Sequence, residues 1–135
     1  MLATGHVSAA EGLMLLHEGQ QQGVSHLVVT HAMNAPILMD VPQMLEAARL
    51  GAFVEFAGST MANASAAERV DRFAEAIRTV GPEHCILSSD LGQEGNPVPP
   101  DGFGDFLVAM RAKGFSQQEI DTMAKTNPAR LLGLR

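Results

Sequence analysis

Apolar residues along this chain fall into two alternating patterns. Four short, nearly continuous apolar runs occupy residues 2–6, 26–31, 52–56 and 85–89. Such runs, bounded by turn residues, are the signature of strands buried on both faces. Between them the apolar positions recur at intervals of three and four. Leu13 and Leu16 begin one such stripe, and Met44, Leu45 and Ala48 a second. Val70, Phe73 and Ile77 form a third, and Phe103, Phe106, Leu107 and Met110 a fourth. Those spacings predict amphipathic helices. Ser8 with Glu11, and Ser116 with Glu119, have the spacing of a capping box. Asp40 is placed to cap the second helix, with Pro42 tolerated in its first turn. Gly23, Gly51 and Gly81-Pro82 mark helix ends, and Asn127-Pro128 is expected to open a last helical turn as cap and first position. A loop is expected over residues 57–63.

The result is four β-α units with strand starts about 25 to 30 residues apart, the repeat of a parallel α/β fold. A barrel and a doubly wound sheet share that repeat. No glycine-rich phosphate fingerprint follows any strand, which counts against a dinucleotide fold. A closed barrel needs eight strands, twice the number here.

Composition narrows the class. The 135 residues suit a single domain, residues 1–135, and 46% are hydrophobic, enough for a packed core. No apolar run approaches the ~20 residues needed to span a bilayer. No basic region precedes an early apolar run, so a secretory leader is not expected. Cys85 is the single cysteine, which rules out an intrachain disulfide and points to a reducing cytoplasm. A net charge of −6, with neither Trp nor Tyr, argues against a nucleic-acid partner.

Candidate chemistry lies at the strand ends. Three runs finish in a potential ligand: His6, His31 and Asp90, the last after Ser88-Ser89. In an α/β barrel the C-terminal tips of the strands form the active-site face. Neutral imidazole and carboxylate suit zinc and related divalent ions. A metal so held lowers the pKa of bound water toward about 7 and supplies hydroxide at neutral pH. A nearby carboxylate can then carry a proton to the leaving group.

Thr4-Gly5-His6, Thr30-His31, Ser88-Ser89-Asp90 and Asn127-Pro128-Ala129-Arg130-Leu131-Leu132-Gly133 together resemble the amidohydrolase superfamily. The resemblance is to the second half of its (β/α)8 barrel, strands five to eight, and covers essentially the whole chain. Residues 88–93 also resemble the phosphotriesterase-like branch of such hydrolases. The implied fold is a (β/α)4 half of a TIM barrel with extra C-terminal helices. The implied activity is metal-dependent hydrolysis of an amide, ester, lactone or phosphoester in a small-molecule substrate. His6 and His31 would bind one metal, and Asp90 would be a ligand of the other metal and the proton shuttle. Zinc is the first choice, with manganese and iron also suited. The family's His-x-His pair on strand one and its bridging lysine or carboxylate on strand four have no counterpart here. A second copy, as in a dimer, or a separate chain would therefore complete the barrel.

Other readings stand beside this one. A non-catalytic or truncated half-barrel would serve assembly alone, and a complete small α/β sandwich would be a monomer. Asp90 could simply cap its loop, and His6 and His31 could bond backbone. Glu55, mid-strand, could face the barrel interior. Ser88 and Ser89 are better placed to bond backbone than to act as nucleophiles. His17 is expected on a helix surface, His26 and His84 at the opposite end of the strands, and Cys85 in the core. Arg130 could tie the C-terminus to the sheet.

Overall fold

A computed structural model describes residues 1–58 and 66–134 of the chain. The strands are β1 (Leu2–Ala3), β2 (Leu27–Val29), β3 (Ala52–Ala57) and β4 (Cys85–Ser88). The helices are α1 (Ala9–Gln21), α2 (Val41–Arg49), α3 (Ala66–Val80), α4 (Pro99–Ala112), α5 (Gln117–Asp121) and α6 (Asn127–Leu131). Residues 59–63 of the expected loop lie outside the described residues.

The four strands form one sheet in the order β1-β2-β3-β4, every pair parallel. Each unit therefore adds its strand beside the one before it, as in a singly wound fold. Alternation along the strands explains how the helices distribute. Leu27, Val29, Ala52, Val54, Phe56, Cys85 and Leu87 share one core with Leu16 of α1, Met44 of α2, Phe73 and Ile77 of α3, and Phe106 and Met110 of α4. Phe73 is wedged edge-on between Phe56 and Phe106. The alternate positions Val28 and Ile86 point to the other face, where they meet Leu131 of α6 and the half-buried Phe53. The mixed α/β class and the parallel sheet agree with the sequence pattern. Among the described residues no helix is long and apolar enough to cross a membrane.

Local signals act as the pattern anticipates. Ser8, Asp40 and Ser116 each accept the amide of the residue three positions on, and Glu11, Gln43 and Glu119 bond back to the cap amide. After α2 the chain turns at Gly51 with φ of 84°, a conformation that glycine adopts without steric cost. Cys85 is fully buried, and burial pushes its thiol well above the ordinary range, so it stays protonated.

One expectation is corrected. Asn127 is not a helix cap. Its backbone is helical, and α5 runs through a single π-helical turn (Thr122–Thr126) directly into α6. Pro128 cannot donate to the carbonyl one turn back, and the π turn absorbs that missing bond. Freed from capping, the buried Asn127 amide donates to the carbonyls of Pro82, at 2.9 Å, and Cys85, at 2.7 Å. β1, β2 and β4 are shorter than their apolar runs, because their last residues leave the ladder for the loops that carry the site, whereas β3 extends one residue past its run, to Ala57.

Candidate active site

The site is assembled from strand tips and one helix. At the end of β1 the buried Thr4 hydroxyl accepts the Thr30 amide at 3.1 Å, and the Thr30 hydroxyl accepts the Gly5 amide at 3.2 Å. These reciprocal bonds replace the sheet ladder just where β1 and β2 diverge. They hold Gly5 and Thr30, and so the neighbouring His6 and His31, side by side. The two imidazole rings lie 5.2 Å apart, centre to centre, tilted by 42°.

His31 is held on three sides. Its amide donates to Glu55 Oε2 at 3.1 Å, and the next amide, Ala32, donates to the Glu55 carbonyl. Its Nδ1 stands 4.0 Å from the same Glu55 oxygen and its Nε2 3.7 Å from Asp90 Oδ2. Neither distance is a hydrogen bond. Nδ1 is buried and has no hydrogen-bond partner among the described residues. Asp90 also accepts from Gln93 Nε2 at 3.2 Å.

His31 and Asp90 share a backbone feature. Their φ angles are 46° and 47°, left-handed values that are uncommon outside glycine, although Asp and His tolerate them better than most residues. Such strain gathers where the surrounding structure must aim a side chain. Here it turns both groups away from the ladder and into a cavity of about 470 Å³. That size lies within the range of small-molecule sites, about 300–1,000 Å³. His6, His31 and Asp90 line it together with Met33, Asn34 and Ala35 of the loop after β2 and Arg69, Arg72 and Phe73 of α3.

The three sequence-selected residues thus come together. Glu55 joins them as the group that anchors the His31 loop; the lone charge in an otherwise apolar strand was the signal for it. Arg69 and Arg72 escaped the sequence reading. Each precedes an apolar stripe position, Val70 or Phe73, by one residue, and so flanks the buried face of α3. His17, which bonds Glu46 on the surface, is remote from the site. His26 and His84 line a separate cavity with Phe53 and Arg130 at the opposite end of the strands. The Arg130 guanidinium lies 5.8 Å above the Phe53 ring. Ser88 Oγ is buried without a hydrogen-bond partner.

Two imidazoles and a carboxylate are the right donors for a divalent metal, and His31 Nε2 is the ring nitrogen that faces Asp90. Their spacing is open: among the described residues, no group of three His, Cys, Asp or Glu closes around one point.

Fold and site together define a parallel, sequentially ordered α/β protein with an imidazole–carboxylate cluster at its strand tips. Residues 1–55 match a family of unknown function, DUF6282. That segment holds β1, β2, His6, His31 and Glu55. No curated protein and no solved structure matches the chain.

Proposed function

We propose that this chain is the second half of an amidohydrolase-type (β/α)8 barrel and takes part in metal-dependent hydrolysis of a small amide, ester, lactone or phosphoester. The observation that carries the reading is the meeting of His6, His31 and Asp90 in one cavity at the C-terminal tips of sequentially ordered parallel strands. Helices α1 to α4 pack on one face of the sheet and the short α6 meets Val28, Phe53 and Ile86 on the other; the sequential parallel strand order is what suits part of a barrel wall.

His6 and His31 would hold one divalent ion, zinc before manganese or iron, and Asp90 would be a ligand of the other. When bound, the ion would act as a Lewis acid and acidify water at neutral pH. The chain's own groups do the rest. Glu55 fixes the loop that carries His31, and the threonine pair holds the two histidine-bearing tips in register. The Asp90 carboxylate would take the proton of the attacking water at Oδ2 and pass it to the leaving group. The remaining ligands would come from the missing half, supplied by a second copy or a separate chain. The outer edges of β1 and β4, unpaired among the described residues, are where that half would join. The lone, reduced Cys85 suits the cytoplasm.

The test is metal content per chain in size-fractionated protein, for the natural chain and for His31→Ala and His6→Ala. About one metal per chain is expected in the natural protein, lost in either variant. Unchanged metal content in both variants would sink the proposal. His6 is exposed, so its variant reports on ligation even if His31→Ala folds poorly.

A further inference from the structure

We infer that the cavity takes a ligand bearing an oxyanion, a phosphate or a carboxylate, and that Arg69 and Arg72 hold it. The inference deepens the hydrolase reading and rests on it for the bond that reacts; the anion-binding step stands on the cavity itself.

Arg69 and Arg72 are three residues apart on α3, the spacing that brings two side chains onto one helix flank. Both line the same cavity as His6, His31 and Asp90. Among the described residues its charged lining therefore holds two permanent cations against one carboxylate, in a chain whose acids outnumber its bases by fifteen to nine. Asp71, between the two arginines, does not serve them: it pairs with Lys113 of the α4 side. Glu55 points to the His31 amide rather than lining this cavity.

The other well-engaged arginines show what a structural role looks like here. Arg78 stacks over the Phe115 ring, 4.4 Å from its centre, and donates to the Lys113 carbonyl. Arg130 lies over Phe53. Arg72 has no such ring or carbonyl partner among the described residues, and it faces a concave surface floored by buried Phe73. Guanidinium is the planar donor suited to forked bonding of phosphate or carboxylate. In a cavity of about 470 Å³ a small molecule held by its anionic end would reach the histidine side.

The experiment uses the metal-free full chain. Inorganic phosphate and, separately, acetate are titrated while the imidazole resonances of His6 and His31 are followed by NMR. Saturable shifts are expected with at least one anion. Arg72→Gln should weaken binding about tenfold, the loss of one charge-assisted bond. The double variant Arg69→Gln/Arg72→Gln should abolish it, and the charge-matched control Arg49→Gln should leave it unchanged. Tighter phosphate binding would mark a phosphoryl-bearing ligand, and tighter acetate binding a carboxylate. No shift with either anion, or binding within twofold of natural in the folded double variant, would overturn the inference. Metal uptake in the same samples separates the two readings. Anion binding without metal uptake leaves this inference standing and removes the hydrolase. Metal uptake without anion binding does the reverse.

Discussion

Asn127 shows how much one buried amide can organise. Its Nδ2 ties the C-terminal helical segment to the carbonyls of Pro82 and Cys85, where β4 begins. Removing it leaves two carbonyls short of a donor in a region closed to water. Asn127→Ala should therefore destabilise the fold by about 2–3 kcal/mol, read as a lowered urea midpoint at unchanged slope. Asn127→Asp should do at least as much harm, since a carboxylate offers acceptors to acceptors. The sequence displayed the Asn-Pro pair but disguised its role. In isolation the pair reads as a cap and a first turn. Only the contact with β4, more than forty residues away in the chain, reveals a tether. His31 and Asp90 were legible for a different reason: each ends an apolar run with a polar group. Their left-handed backbone was not legible, because neither residue type demands it.

At the scale of elements, capping is the clearest link between sequence and stability. The Ser116 box starts a helical segment that continues through the π turn to Leu131, so its effect reaches further than the five residues of α5. Hydrogen bonds from Ser116 hold the Glu119 carboxyl below its ordinary range. A carboxyl depressed in the folded state stabilises above its unfolded pKa, and the contribution is lost as pH falls through the folded value. Ser116→Ala should cost about 1 kcal/mol at pH 7, and the difference from the natural chain should shrink below about pH 4. Paired thermal melts at the two pH values check this; a penalty that stays constant would reject the box as its source. Four helices and four strands follow from periodicity and punctuation alone. Which helix covers which face of the sheet does not, because runs apolar on both faces leave that choice open. For the same reason Arg69 and Arg72 look like solvated flanks of α3 until the helix is seen beside the strand tips.

For the whole molecule the question is what lies beyond the two edges of the sheet. β1 pairs with β2 and β4 with β3, and each leaves one backbone edge unpaired among the described residues. A parallel edge of this kind invites another strand. The half-barrel reading therefore expects a mass of at least two chains in sedimentation at micromolar concentration. A stable monomer of 14.3 kDa would favour a self-sufficient sandwich.

The sequential strand order also bears on how the protein comes into being. β1 meets β2 across about 25 residues, β2 meets β3 across the same span, and β3 meets β4 across about 31. No strand waits for a partner made much later. Because the cost of closing a loop grows with its length, each step is about as demanding as the last. A nascent chain leaving the ribosome can thus lay down its sheet in the order of synthesis, every new strand templated by the one just finished.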